Sequence, residues 1–391
     1  MINVNLFGVG AAGNKAAVEV LEKGYLDEER VKLVNTTTKD IPDKYKQGKN
    51  LVVQFGSSSL DGCGKEPNKG SKAMTEAILE NKINLEEMIT EDCEEIILVS
   101  STEGGTGCGA TPVLAKFFET MNIPVHVFAL IGFQDDSRGL NNTLKFFKNL
   151  SDNVILHTIM NDQFLDYTGN FEKAERAANA EFAEQVRVII GSKMIPCSQN
   201  MDNTDMYKVT ATSGYEDIKH VSLTGVKNLD TFNDAIIKEF DNGHCLEYER
   251  GCKRLAIIVN ASDRVREAID SRLEVIKRYT GEPIDTFRHI QCDPNDSDEY
   301  MDIIVSGMNF PEKGIVDISK KYAELKQNIN KSTKSMDDIF SEIDMDDEED
   351  FDIRQRNDNA AAMFAKLVGA KSKQQKINNV VQKSNPGDEE Y

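Results

Sequence analysis

"VSSTEGGTGCGATP", residues 99–112, completes the apolar run "EEIILVS" and leads into "TPVLAKFFET", whose apolar spacing predicts a helix. Gly104, Gly105, Gly107 and Gly109 strip side chains from this strand-to-helix turn. Successive backbone N–H groups can then face one anion, and the helix N-terminus adds its positive dipole end. Thr106 adds a hydroxyl, and Pro112 is expected in the first helical turn, where a missing N–H costs nothing. No Gly-Lys-Ser/Thr follows, so this is not a Walker loop. Each glycine costs roughly 1 kcal/mol of ordering entropy, which argues against so dense a run in a merely structural turn.

A second glycine turn stands near the start, in "NLFGVGAAGNKAA", residues 5–17. It has the Gly-x-Gly-x-x-Gly spacing of a dinucleotide fingerprint, again between a strand and a helix. A nicotinamide oxidoreductase also needs an acid after the second strand to hold a ribose hydroxyl. That strand ends in "VNTTTKD", with Asn35 and Thr36 at the place of the acid, so the fingerprint is incomplete.

Between Ile2 and about Phe171, apolar runs ("INVNLFG", "VKLVN", "LVVQF", "EEIILVS", "IPVHVFALIG", "DNVILHTIM") alternate with helical patterns. This is the signature of an α/β, Rossmann-like parallel sheet with helices on both faces. "FEKAERAANAEFAEQVRVIIG", residues 171–191, reads as one long central helix. "IKHVSLTG", "RLAIIVN" and "YMDIIVSGM" read as strands of a second, smaller sheet. The expected organisation is a nucleotide-binding domain at 1–170, a central helix and following loop at 171–206, a smaller α/β domain at 207–312, and a C-terminal helix with an acidic tail at 313–391. The tail stretch "MDDIFSEIDMDDEEDFD" is too acidic and too poor in core residues to bury itself.

The 391 residues are 39% hydrophobic with a formal net charge of -20, which suits two packed domains and disfavours direct nucleic-acid binding by the core. The seven cysteines include no CxxC pair, so neither a zinc site nor a disulfide framework is expected, and a reducing cytoplasm fits. The first ten residues lack a basic leader pattern, and no apolar run approaches the ~20 residues of a membrane span. A soluble protein with no membrane contact is expected.

Several motifs together resemble the tubulin/FtsZ superfamily. "GGTGCGATP" is similar to its GGGTG[ST]G loop, with Glu103 at the first glycine and Cys108 at the Thr or Ser. "GVGAAGN" resembles its first phosphate loop, "NTTTKD" its NTDxQ loop and "GKEPNKG", residues 64–70, its GxxPxxG loop. "NDQFLD" from Asn161 resembles the family's ND after the sixth strand, and "AAN" at 177–179 the AAN of its central helix, though Ala180 stands where division proteins carry an acid. "PCSQNMDNTDMYKV", residues 196–209, resembles the PGLINxDFADV loop and keeps Asn200, Asp202 and Asp205.

The resemblance implies a polymerisation-activated GTPase. Phosphates of GTP or GDP would lie on Gly10, Ala11, Ala12, Gly13 and Asn14, near Thr36, and on Gly104, Gly105, Thr106, Gly107, Cys108 and Gly109. Mg²⁺ would ride on the phosphates, with no protein side chain assigned to it. Asn179, helped by Asn161, would read guanine through its amide, while Gln134 and Arg138 would lie near the sugar. Alone, each asparagine also reads as a helix cap or turn residue.

Asp202 and Asp205 would repel a triphosphate in their own pocket, so head-to-tail stacking would bring them, with Asn200, to the neighbour's γ-phosphate as catalytic residues. The alternative for "NMDNTD" is a polar loop with Asx turns. "ALIGFQDDSRGLNNTLKFFKNL" lacks the PFxFEG segment of division proteins and is closer to phage tubulins of the PhuZ type. That implies a filament positioning or segregating phage DNA or virions in a bacterial cytoplasm, with adaptor or cargo contacts through the tail. A plasmid-partition tubulin of the TubZ type is the runner-up, kept open by "KLVGAKSKQQK"; an FtsZ-like division protein and a non-hydrolysing filament protein rank below it.

Overall fold

The computed structural model describes residues 1–47, 51–57, 60–262, 269–293, 296 and 298–332. The acidic run at 337–352, "KLVGAKSKQQK" and the terminal "DEEY" lie outside the described residues.

The strands are Val4–Val9 (β1), Val31–Asn35 (β2), Val52–Gln54 (β3), Glu95–Ser101 (β4), Val125–Ile131 (β5), Ile155–Met160 (β6), Gly214–Ser222 (β7), Arg254–Asn260 (β8), Asp285–Gln291 (β9) and Tyr300–Met308 (β10). They form one sheet in the order β3-β2-β1-β4-β5-β6-β7-β10-β8-β9. From β3 to β6 all pairs are parallel. The 3-2-1-4-5-6 order is that of the dinucleotide-binding folds, and it reverses between β1 and β4, where such sheets take their ligands.

The expected second sheet is not separate. Its strands continue the first through a parallel contact of only two residue pairs, Ile155↔Gly214 and Leu156↔Tyr215. Beyond it, β10 runs antiparallel to both β7 and β8, and β9 closes the edge parallel to β8. Sequence reading missed β9: "DTFRHIQ" has no apolar run, because an edge strand buries only its last residues.

Successive side chains of the strands point to opposite faces, and both faces are covered. Phe7, Val9, Leu98 and Val127 meet Pro67–Leu79 (α3) and Thr106–Thr120 (α4) through Met74, Leu114 and Phe118. Leu6, Leu33, Val99 and Phe128 meet Gly10–Glu22 (α1) and Phe171–Ile190 through Ala17, Phe182 and Val186. Asp43–Lys46 (α2), Ser137–Asn149 (α5) and Asn161–Thr168 (α6) complete the first half. The long helix Phe171–Ile190 (α7) is capped at one end by Asn170 Oδ1, which accepts from Lys173 N at 3.0 Å, and ends at Gly191 with φ 64°. Asn203–Thr210 (α8), Leu229–Asp241 (α9), Leu273–Thr280 (α10) and Glu312–Ser332 (α11) follow.

A buried charge cluster fixes α7 to the second half of the sheet. Arg187 is 3% exposed and donates from Nη2 to Asp302 Oδ2 of β10 at 3.0 Å and from Nε to Glu184 at 2.8 Å. Tyr25 OH donates to Glu184 at 2.6 Å, and His220 of β7 pairs with Asp302 at 2.6 Å. Truncating one member strands a buried charge. Arg187→Leu is therefore expected to destabilise the protein by about 3–5 kcal/mol, read as a lowered urea midpoint.

Candidate nucleotide and assembly site

Two helices begin side by side where the strand order reverses. α1 starts directly at the end of β1 and α4 just beyond β4, and neither has a side-chain cap or an acid in its first turn. Their leading N–H groups are therefore open to an anion. α4 begins at Thr106, so Pro112 sits in its second turn and not, as expected, its first.

The two turns touch backbone to backbone. Gly10 has φ +76°, and a Cβ on it would lie 3.0 Å from Gly107 N. A Cβ on Gly13 would lie 2.1 Å from Val99 O, and one on Gly109 2.0 Å from Pro67 O. Gly105 is held equally tightly, against Cys63 and Glu66. Gly104 differs, since nothing lies within 4 Å of the position its Cβ would take. Its Cβ position faces open space.

Beside the cradle is a cavity of ≈ 120 Å³ lined by Ala12, Glu103, Phe133, Asn161, Glu175 and Asn179, among others. Asn161 opens α6, and Asn179 projects from the middle of α7. Phe133 packs edge-on against Phe171 at 4.5 Å, which gives the cavity an aromatic wall. Polar atoms without protein partners gather around the same strand ends. Both amide atoms of Asn14, which is 2% exposed, are unbonded, as are Ser100 Oγ, Asn35 Nδ2 and Glu103 Oε1. Buried polar groups are rarely left so. A polar ligand seated on the two turns would satisfy them.

Glu103 is the unexpected member. Its carboxyl group lies over Gly132 and Gly139, where any Cβ would collide with it. Burial pushes its pKa up to about 7; Lys65 opposes the shift, while Asp136, Asp135 and Asp162 add to it. Sequence reading treated Glu103 only as a departure from a glycine pattern. It also missed Phe133, Glu175 and Lys15, which pairs with Glu175 at 3.7 Å.

The other expected residues divide. Thr36 is fully buried, and its hydroxyl lies 3.2 Å from that of Thr106, joining the turn after β2 to the start of α4. The Cys108 side chain points away, donating from Sγ to Asn142 O at 3.3 Å, with its thiol pushed by burial up to about 12. Gln134 and Arg138 do not line the cavity with Asn161 and Asn179. Gln134 borders a separate cleft of ≈ 610 Å³ with Lys219, Phe240 and Tyr248, and Arg138 is exposed in the first turn of α5. That cleft is larger than the cavity beside the cradle, but the glycine turns are elsewhere, so volume alone does not mark the site.

Asn200 and Asp202 line a third cleft, of ≈ 460 Å³, whose wall also includes Met1, Ile190 and Gly191; Asp205 is not in its wall but follows in the first turn of α8. Asp202 is the N-cap of α8, its Oδ1 accepting from Asp205 N at 2.9 Å. Lys208 lies 3.6 Å from the Asp205 carboxylate. This cleft and the glycine cradle are at opposite ends of the fold. Asn179 to Ile190 spans about 16 Å of helix, and β1, with Met1 before it and Gly10 after it, spans about 20 Å. Within one chain the carboxylates cannot reach a ligand on the cradle.

Residues 3–169 match the GTPase domain of the Tubulin/FtsZ family. Over 344 residues the chain is 24% identical to the cell division protein FtsZ of Mycoplasmopsis pulmonis, covering 86% of this chain and 83% of the relative. The fold is shared with TubZ of Clostridium botulinum phage c-st (TM-score 0.64, 16% identity, 84% of this chain and 100% of that one). It is shared also with a GTPγS-bound protofilament of CetZ2 from Haloferax volcanii (TM-score 0.65, 17% identity, 83% and 100%). No described helix is long and apolar enough to cross a membrane.

The contrast between glycines is testable by urea unfolding. Gly13→Ala drives a methyl into Val99 O and is expected to cost about 1–3 kcal/mol. Gly104→Ala meets nothing and should change stability by less than about 0.5 kcal/mol.

Proposed function

We propose, on the match of residues 3–169 to the GTPase domain of the Tubulin/FtsZ family, that the chain binds GTP on the cradle, stacks head to tail, and hydrolyses the nucleotide at each junction. The observation that carries this reading is the placement of the cleft lined by Asn200 and Asp202, with Asp205 in the adjoining first turn of α8, at the end of the fold opposite the cradle. A contact between unlike faces yields an open filament when its rotation does not close into a ring, and the filament is the form proposed.

The phosphates would lie on the N–H groups of Gly10–Gly13 and Gly104–Gly109, with Mg²⁺ balancing their charge. Guanine would enter the cavity beside Phe133, where Asn179 and Asn161 can accept from its exocyclic amine and donate to its carbonyl. Adenine offers the reverse pattern on that edge. Asn14 gives the ligand a buried amide that no protein group satisfies. We assign Gln134, on the adjoining loop, and Arg138, in the first turn of α5, to the sugar edge. Across the junction, the two carboxylates and Asn200 would orient a water in line with the γ-phosphate, since positioning supplies most of the catalysis in phosphoryl transfer. The cellular task we propose is positioning or segregating phage DNA or virions. The second reading is plasmid partition, which rests on the Lys-containing stretch "KLVGAKSKQQK" in the tail.

Phosphate release should rise more steeply than linearly with protein concentration, in step with light scattering; a strictly linear dependence would sink the shared site. Asp205→Ala should bind GTP normally and turn over at least about 10-fold more slowly. Gly104→Asp adds a carboxylate to the glycine turn at a position whose Cβ meets no protein atom, and should weaken GTP binding at least about 10-fold, or 1.4 kcal/mol. Each variant alone should hydrolyse GTP slowly, and a mixture should regain hydrolysis because the two defects fall on opposite faces of a junction.

Glu103 sets a pH dependence. Its carboxyl ionises near pH 7 and then faces the anionic ligand, so nucleotide affinity should fall as pH rises through about 7. Glu103→Gln should remove that component, leaving the titration of the nucleotide itself, as read by isothermal titration of both proteins.

A further inference from the structure

Four neighbouring strands each place one buried ionisable side chain on the face covered by α7 and α8. These are Glu95 of β4, His126 of β5, His157 of β6 and Glu216 of β7, none more than 1% exposed. His126 Nδ1 lies 2.9 Å from His157 Nε2, and His157 Nε2 lies 3.7 Å from Glu216 Oε1. One ligand atom each from His126, His157 and Glu216 falls within 4.8 Å of the other two.

We propose that His126, His157 and Glu216 form a buried structural site for a divalent transition metal, of which Zn²⁺ best suits the donors. Ligands about 2.1 Å from a tetrahedral zinc lie about 3.4 Å apart, and the 2.9 and 3.7 Å separations bracket that value. Two imidazoles and a carboxylate are a known zinc donor set.

Two further observations point to a ligand. Both Glu216 oxygens lack a hydrogen-bond partner although the side chain is 1% exposed, an expensive arrangement for a carboxylate. A cation held by both oxygens satisfies it and supplies a fourth donor. The remaining His126 nitrogen, Nε2, lies 2.9 Å from Glu95 Oε2, and Thr210 of α8 donates to the other Glu95 oxygen at 2.7 Å. A carboxylate behind a ligating histidine is the usual outer support of a zinc site, fixing the tautomer and the ring.

The site spans β5, β6 and β7, where only two residue pairs join the halves of the sheet. Through Glu95 and Thr210 it also holds the end of the helix that Asp202 begins. An ion there would staple the junction and steady α8. Since its ligands are enclosed, it would enter as the strands pair during folding.

The test uses the full chain, unfolded, freed of metal, and refolded with Zn²⁺ or with EDTA. Elemental analysis after gel filtration is expected to find about one zinc per chain in the first preparation. Its melting midpoint should exceed that of the EDTA preparation by at least about 5 °C. Refolding with Co²⁺ should give the visible absorption of a tetrahedral nitrogen–oxygen site. Glu216→Gln, which keeps the side-chain volume, should lose the zinc. Less than about a tenth of an equivalent in the wild type, or equal melting midpoints, overturns the proposal. Zinc retained in Glu216→Gln overturns it too, placing the ion at other ligands such as the exposed Cys292. If the variant fails to fold, the wild-type measurements decide alone.

Discussion

The molecule is organised around one close approach, that of the turn after β1 to the turn after β4. At Gly10 and Gly107 two backbones meet with no room for a Cβ, and Gly13 and Gly109 repeat the condition against β4 and α3. The contact brings together the N-termini of α1 and α4, which cover opposite faces of the sheet, so their positive dipole ends meet in one place. Parallel pairing of β1 with β2 and β4 and the helices on either face follow from holding these strands and helices in that relation. The same closeness leaves unsatisfied polar atoms at the strand ends, so the demands of packing and of binding fall on the same residues.

The long helix converts this local arrangement into a molecule with two different ends. Glu175 and Asn179 face the cradle cavity, while Ile190 and Gly191 border the cleft of Asn200 and Asp202. Arg187, buried between Glu184 and Asp302, keeps the helix from shifting along the sheet. The distance between the ends is therefore a fixed property of the chain and not of a flexible loop.

How much of this was legible in the sequence depended on how locally the information was written. The glycine turns and the long helix could be read because each is coded by consecutive residues, and "VKLVN" or "RLAIIVN" because a buried strand is uniformly apolar. The edge strand "DTFRHIQ" could not, since it buries too little to leave a pattern. The start of α4 was misplaced because glycines read as loop, although here they form its first turn. The Cys108 side chain faces α5, a matter of helix phase that motif matching does not report. Glu103 acquires its character from Gly132 and Gly139, some thirty residues on, which leave room for its carboxyl group. The histidine and glutamate cluster is drawn from four strands and has no spacing signature; only the register of the sheet assembles it.

The N-cap bond from Asp202 to the Asp205 amide has a kinetic meaning. One carboxylate oxygen is already tied to the start of its own helix, so the orientation of this residue is set in the isolated chain. A neighbouring subunit would meet a preformed tooth and not a loop that must order itself on contact. The entropic toll of arranging those groups falls on folding, once, and need not be met again each time two subunits collide.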